Sequence, residues 1–305
     1  MWKNQQICIQ GVVMSYEIFT DVSVDIDMDF ADAHHLHYIS MNYSLGEEHH
    51  HCDRPESDEM MHTYYQRLRE KISTQTSQII PYHYIEAFEP YVKKGCSILY
   101  MSLSSGLSNT YESACMAAAQ LKETYPDVTI EIVDSLGATG GMGLLAESAC
   151  LNRDEKGMSI EENAAWLREY SHRIHFWFKV EDLMYLSRGG RISTAAALMG
   201  TALKLKPILT INKTGKLDTI DKKRGNRLAF KRLLDLFEAH YQPGIYDTVY
   251  ISCADCKKDA ETLRDMVLEK HPELTVRITM LSPIIGAHTG PDMLALIHYG
   301  DIKEY

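Results

Sequence analysis

Ser102-Leu103-Ser104-Ser105-Gly106-Leu107-Ser108-Asn109-Thr110-Tyr111 follows the apolar run Ile98-Leu99-Tyr100-Met101, which has the character of a buried strand. Behind it, over residues 112–121, apolar and small residues recur at helical spacing. Four serine hydroxyls and a glycine therefore lie where a strand hands over to a helix. In a parallel α/β sheet that handover sits at the carboxyl edge, where ligands bind. Asn109 with Glu112 three residues on predicts a capping pair that fixes the helix start. Unpaired backbone N–H groups and the positive end of the helix dipole then face the loop, which suits a carboxylate or a phosphate. A serine-rich capping turn with no ligand fits these ten residues equally well.

On either side the pattern repeats. Residues 16–20 read as a strand ending in Thr20-Asp21-Val22-Ser23, and residues 128–133 as another ending in Asp134-Ser135, with a helix opening over 137–143. Strand–helix alternation over 16–151 predicts a doubly wound parallel sheet. No Gly-x-Gly-x-x-Gly or Walker lysine motif supports a nucleotide site. Residues 55–72 have helical spacing, with Met60, Met61, Tyr64, Tyr65 and Leu68 on one face. A second hydroxyl cluster, Ser73-Thr74-Gln75-Thr76-Ser77-Gln78, precedes a helix entered through Pro81. Asp25, Asp27, Asp29 and Asp32 lack the glycine and closing glutamate of a calcium loop. The histidines at 34, 35, 37 and 49–51 cannot converge on one metal, because adjacent side chains diverge, so a solvated loop is expected there.

The second half opens with a strand over 175–180 and then Ser187-Arg188-Gly189-Gly190-Arg191-Ile192-Ser193. Two arginines held at a glycine turn suit an anionic ligand or an acidic partner surface. Ser193 or Thr194 is expected to cap a small-residue helix over 195–203. A hairpin turns at 213–216 between strands over 207–211 and 217–220. The basic run 222–227 then precedes an amphipathic helix. Residues 247–252, 257–269 and 275–281 form a strand–helix–strand unit. Gly286-Ala287-His288-Thr289-Gly290-Pro291 places His288 in a loop ahead of a closing helix.

A chain of 305 residues is long for one core. The division expected is an extension at 1–14, an α/β domain at 15–165 carrying the serine loop, and a second α/β domain at 166–305. A net charge of −11 argues against a nucleic-acid surface. No apolar run approaches the roughly 20 residues that span a bilayer, so no integral membrane segment is expected, and the N-terminus makes a poor signal peptide. Seven cysteines, with Cys253 and Cys256 the only close pair, point to reduced thiols in the cytoplasm and to no zinc site.

Seven segments, in order, resemble the DegV family of bacterial fatty-acid-binding proteins from about residue 15 to the C-terminus. They are Thr20-Asp21, Thr76-Ser77-Gln78, Ser104-Ser105-Gly106-Leu107-Ser108-Asn109-Thr110-Tyr111, Asp134-Ser135, Arg188-Gly189-Gly190-Arg191-Ile192-Ser193, Lys206-Pro207-Ile208-Leu209 and Gly286-Ala287-His288-Thr289-Gly290-Pro291. Each is weak alone, and their collinearity is what makes the resemblance specific. It implies two α/β domains clasping one long-chain fatty acid, the carboxylate at Thr76 and the Ser104–Ser108 loop and the tail in an apolar tunnel. It also implies a lipid-carrying subunit with no catalytic residues and no cofactor or metal beyond the bound lipid. Its partner would be a fatty acid kinase that phosphorylates the acyl carboxylate for phospholipid synthesis. The carboxylate-binding candidates are Thr76, Ser104, Ser105, Arg191 and His288. Arg188, Arg224 and Arg227 are candidates to face the partner. Val22-Ser23-Val24 and Ile79-Ile80 depart from the family pattern.

Two rivals stand beside this reading. One is a serine hydrolase or acyltransferase with Ser105 as nucleophile, His288 as base and Asp21 or Asp134 as orienter. Ser104-Ser105-Gly106 is no Gly-x-Ser-x-Gly elbow, which counts against it. The other is a lipid carrier with no kinase partner.

Overall fold

Three runs, Tyr16–Asp21, Ser97–Ser102 and Ile130–Asp134, pair in parallel with the short strand His37–Ile39. The order across the sheet is His37–Ile39, Tyr16–Asp21, Ser97–Ser102, Ile130–Asp134. The structure is a computed structural model describing residues 8–9, 12–13, 16–55, 57–194 and 205–305. In Ser97–Ser102 every residue from Ile98 onward is buried. Successive side chains point to opposite faces, so both faces of the sheet are covered. The covers are two helix pairs, Pro81–Val92 with Thr110–Thr124 and Thr139–Asp154 with Ile160–Tyr170. The parallel sheet read from the sequence is present, with the serine loop at its carboxyl edge.

Residues 41–76 add a three-stranded antiparallel sheet in the order Glu48–Cys52, Met41–Leu45, Thr74–Thr76. His34 and His35 lie in a turn as expected, whereas His37 and the histidines at 49–51 are on strands and not in a loop. Alternation along Glu48–Cys52 explains its part: Cys52 is buried, the His50 ring stacks on Tyr43 at 4.8 Å, and His49 and His51 face solvent. The helix Asp58–Arg69 begins at Ser57, whose hydroxyl accepts from the Met60 N–H. Met61, Tyr64, Tyr65 and Leu68 are buried as the spacing predicts, whereas Met60 falls off that face and is 54% exposed.

The second sheet has six strands in the order Leu217–Arg224, Leu205–Ile211, Ile174–Lys179, Leu294–Tyr299, Thr248–Cys253, Thr275–Met280. All neighbours are antiparallel except the last pair, which is the parallel unit wound by the helix Lys257–Lys270. Leu294–Tyr299 corrects the expected closing helix. A short apolar run such as Met293 to Ile297 carries no periodicity to separate helix from buried strand, and here the burial of the strand on both faces decides. The basic run is likewise divided. Lys222 to Arg224 end a strand, Gly225 turns with φ of 77°, and Asn226 and Arg227 open the helix Asn226–His240.

Period-two alternation sorts the second sheet into two layers. Trp177, Val249, Ile251, Leu294 and Leu296 pack with Phe230, Leu233 and Phe237 of Asn226–His240. Phe176, Phe178, Tyr250, Ala295 and Ile297 face the other way and join the core of the parallel sheet. The helix Thr139–Asp154 touches both sheets. Its start is glycine-rich because the second sheet lies flush against it: a Cβ on Gly141 would sit 2.2 Å from the Phe176 ring. Among the described residues no helix is long and apolar enough to cross a membrane. The helix expected over 195–203 lies outside the described residues.

Candidate functional site

The serine loop is strung between two acidic strand ends. Asp21 Oδ2 accepts from Leu103 N–H at 3.0 Å and from the Tyr100 hydroxyl at 2.9 Å. Asp134 Oδ1 accepts from Ser105 N–H at 3.2 Å and from Leu136 N–H at 3.0 Å. Asp21 is fully buried, and burial raises its carboxyl above the ordinary carboxylate range. Ser104 is buried too. Its hydroxyl donates to Gly215 O at 2.9 Å and accepts from Gly106 N–H at 3.1 Å. Ser104 therefore does not line the cavity, a correction to its place among the carboxylate-binding candidates: it ties the loop to the hairpin of the second sheet. Beside that contact, main chain lies directly on main chain: a Cβ on Gly106 would be 2.5 Å from the Gly215 carbonyl.

The predicted Asn109–Glu112 capping pair is not made. Ser108 takes the role, its Oγ accepting from Thr110 N–H at 3.3 Å. Ser105 is what remains: half-buried, its N–H held by Asp134, its hydroxyl facing the cavity without a partner among the described residues.

Opposite the loop, His288 stands on the helix Pro283–Thr289, not in the expected loop. Pro283 sets the helix start and Gly290, at φ of 74°, ends it. His288 Nε2 lies 2.9 Å from Thr76 Oγ1. Its Nδ1 has no partner among the described residues and faces Gly189 so closely that a Cβ there would lie 2.2 Å away. Burial, and secondarily the Arg191 charge, push His288 down to about 4, so the imidazole is neutral at pH 7. Arg191 bridges the Arg-Gly-Gly-Arg turn to the serine loop, Nε donating to Leu107 O at 3.0 Å and Nη1 to Gly189 O. Burial lowers its pKa, and among the described residues no carboxylate pairs with it.

These groups converge on one cavity of about 430 Å³ between the two sheets, within the range of about 300–1,000 Å³ of small-molecule sites. Thr76, Ser77, Gln78, Ser105, Ser108, Arg191 and His288 supply its polar lining. Phe176, Phe178 and Ile297 of the second sheet, with Ile211, Ile284 and Met293, supply apolar wall. No Asp or Glu stands among its described lining residues. Of the five carboxylate-binding candidates, four are brought together. Arg188 is exposed, stacks over Tyr185 at 4.5 Å and lines a neighbouring cleft with Lys71. Arg224 and Arg227 are exposed and lie outside both cavities.

Sequence reasoning missed Gly189, Gly215 and the apolar wall. The alternation in Ile174–Lys179 carried the signal for the wall. Nothing local distinguishes Gly189 or Gly215 from an ordinary turn glycine, because what they admit comes from a distant element. The residues weighed for a hydrolase triad are otherwise engaged: His288 pairs with Thr76, and the Asp21 and Asp134 oxygens that hold the loop accept from backbone N–H groups.

Over residues 15–301 the chain matches the family model described as "Uncharacterised protein, DegV family". A DegV domain-containing protein of Clostridium perfringens is 37% identical over 289 residues, covering 95% of this chain and 99% of that protein. A DegV domain-containing protein of Streptococcus pyogenes is 34% identical over 291 residues, covering 94% and 99%. Among solved structures, a Thermus thermophilus DegV family protein reported for its fatty acid binding aligns with a TM-score of 0.80 at 25% identity, covering 94% of this chain and 100% of that one. DegV of Bacillus subtilis, a fatty acid binding protein, shares the fold with a TM-score of 0.81 at 24% identity, covering 94% and 100%. A Ruminococcus gnavus family member with vaccenic acid gives 0.81 at 21%, covering 93% and 100%. With its serine loop, Arg-Gly-Gly-Arg turn and His288 helix gathered on one cavity, this chain belongs to the DegV family.

Proposed function

We propose that the protein binds one long-chain fatty acid between its two sheets, as a carrier and not as an enzyme, in the cytoplasm and with no further cofactor. The observation that carries this reading is Arg191. It is a half-buried guanidinium with no carboxylate partner among the described residues, beside an apolar cavity whose described lining has no acid. Such a charge is stabilised by an anion with an apolar body. Thr76 completes the head-group site. A proton on His288 Nε2 donates to Thr76 Oγ1, which frees the Thr76 hydroxyl to donate to the ligand carboxylate. That tautomer leaves Nδ1 as an unbonded acceptor, which costs less than an unbonded buried N–H. Ser105 donates from the other side. Burying about fifteen methylenes at roughly 0.8 kcal/mol each supplies on the order of 12 kcal/mol before binding costs, so the tail gives affinity and the head group gives register. The fatty-acid-binding relatives support the ligand class.

The finer reading is that residues 15–165 and 166–305 act as two domains presenting the acyl carboxylate to a fatty acid kinase. Exposed Arg188, Arg224 and Arg227 would meet that partner. The test is native mass spectrometry of protein purified from bacteria, followed by oleate titration of delipidated protein. One fatty acid per chain and a higher melting temperature with oleate are expected. Only apo protein and no oleate effect would end the proposal. Arg224→Glu should leave lipid occupancy unchanged and slow acyl phosphate formation with a cognate kinase.

A further inference from the structure

The strand Ile174–Lys179 turns Phe176 and Phe178 toward the cavity and, by its two-residue period, His175 and Trp177 toward the opposite layer. There the buried His175 meets groups from two other elements. His240 ends the helix Asn226–His240, and Asp301 follows the strand Leu294–Tyr299. His175 Nε2 lies 2.9 Å from Asp301 Oδ1, and His240 Nδ1 lies 3.0 Å from the same oxygen. Among the described residues this is the one cluster of three such groups whose donor atoms all fall within 4.8 Å of one another. The main chain sets the geometry. Asp301 N–H donates to His240 O at 3.1 Å and Gly300 N–H to Arg173 O at 2.8 Å. A Cβ on Gly300 would lie 2.2 Å from His240 O and 2.9 Å from the His175 ring. On the far side of that ring, the Tyr305 hydroxyl is 2.7 Å from Nδ1.

We propose that His175 Nε2, His240 Nδ1 and Asp301 Oδ1 form a binding site for a first-row divalent cation, zinc above all, with water in the fourth position. Two imidazole nitrogens and one carboxylate oxygen are a zinc donor set, and imidazole selects zinc over magnesium or calcium. Bonds of about 2.0–2.1 Å place tetrahedral ligand atoms roughly 3.3 Å apart. The observed 2.9–3.0 Å needs only slight opening. The cation would take the place of the proton that His175 Nε2 shares with the Asp301 main-chain oxygen at 2.9 Å and of the one that His240 Nδ1 shares with the Asp301 carboxylate. His175 would then carry its proton on Nδ1 and donate it to Tyr305, the outer partner that orients a ligating ring. His175 is fully buried, and its Nε2 is turned toward the other two donors. His240 and Asp301 are partly exposed, which opens the site to ions from solvent. Bound metal would pin the last turn of one helix, a central strand and the C-terminal segment together, behind the apolar wall of the lipid cavity.

The test is zinc titration of chelator-stripped full-length protein by calorimetry and thermal unfolding, with elemental analysis of bound metal. One zinc per chain and a higher melting temperature are expected for the wild type. His240→Ala and Asp301→Asn, both at partly exposed positions, should lose that stoichiometric zinc. Tyr305→Phe should weaken it about tenfold. Oleate occupancy should stay unchanged in all three, so failure here is separate from failure of the lipid reading. Zinc bound equally by wild type and the two ligand variants would place it on other histidines, such as exposed His49 and His51, and overturn the site. So would a wild type that binds none.

Discussion

Adjacent residues of one strand, Ile174–Lys179, look into two different environments. Phe176 and Phe178 face a cavity where, among the described residues, Arg191 has no carboxylate partner, no acid lines the wall and the Ser105 hydroxyl has no partner. His175 and Trp177 face a layer whose polar groups are crowded onto one another. His175 meets Tyr305 and Asp301, His240 meets Asp301, and Trp177 Nε1 donates to His298 Nε2 at 2.9 Å. The first side is under-paired and the second is over-paired. Under-pairing around apolar walls marks a place that awaits an organic anion. Several donors converging on one carboxylate oxygen mark a place where a cation substitutes for protons. The same backbone builds both because the strand period separates them completely.

The largest effect that probes this division is Phe176→Ala. The ring packs against Gly137 and Gly141 and lines the cavity, so its loss should cost about 3–5 kcal/mol of stability in urea unfolding of delipidated protein. A loss below about 1 kcal/mol would mean that the wall is not part of the core.

The next is an acid effect that sharpens the contrast between the two buried histidines. His288 has a folded pKa of about 4, below its unfolded value of about 6.5. Between these values the unfolded chain binds the extra proton, so the stability His288 contributes is fully present above pH 6.5 and falls as pH drops toward 4. His288→Gln removes this term. Relative to the variant, the wild type should lose on the order of 2–3 kcal/mol between pH 7 and pH 4, read as the difference of two unfolding curves. A flat difference would place the imidazole in solvent. His175, lowered to about 4 as well, titrates in both proteins and cancels.

Smaller effects belong to the head-group contacts. Arg191→Gln, Thr76→Val and Ser105→Ala should each weaken oleate binding by about 1–3 kcal/mol, Arg191→Gln the most. Calorimetry reads the affinity, and the melting temperature of the lipid-free forms should barely move. Three unchanged affinities would move the carboxylate elsewhere.

The carboxyl-edge position of the serine loop was legible because an apolar run, a hydroxyl cluster and a helical period follow one another without interruption. Thr76, Ser105, Arg191 and His288 were each visible in motifs, and their meeting on one cavity is what the fold adds. Other features depend on contacts that no local pattern encodes. Ser104 looked like its neighbour Ser105, and only the Gly215 carbonyl tells them apart. His288 was read as a loop residue because glycines flank it, although Pro283 starts a helix five residues earlier. The end of the chain was read as a closing helix because the short apolar run Met293 to Ile297 suits either state. The His175 cluster was invisible, since its members come from a strand, a helix end and a loop far apart in the chain.

The position of Leu294–Tyr299 also bears on how the molecule is made. It is the latest strand in the chain, yet it lies between Ile174–Lys179 and Thr248–Cys253 and hydrogen-bonds to both. Until it arrives, three strands on one side and two on the other have no hydrogen-bonded seam, and the cavity lacks Ala295 and Ile297. During synthesis the parallel sheet, whose strands all precede residue 135, can close first. The growing chain then holds two unsealed edges of a sheet, a hazard for pairing with other chains, until one late insertion removes both edges and finishes the apolar wall of the cavity.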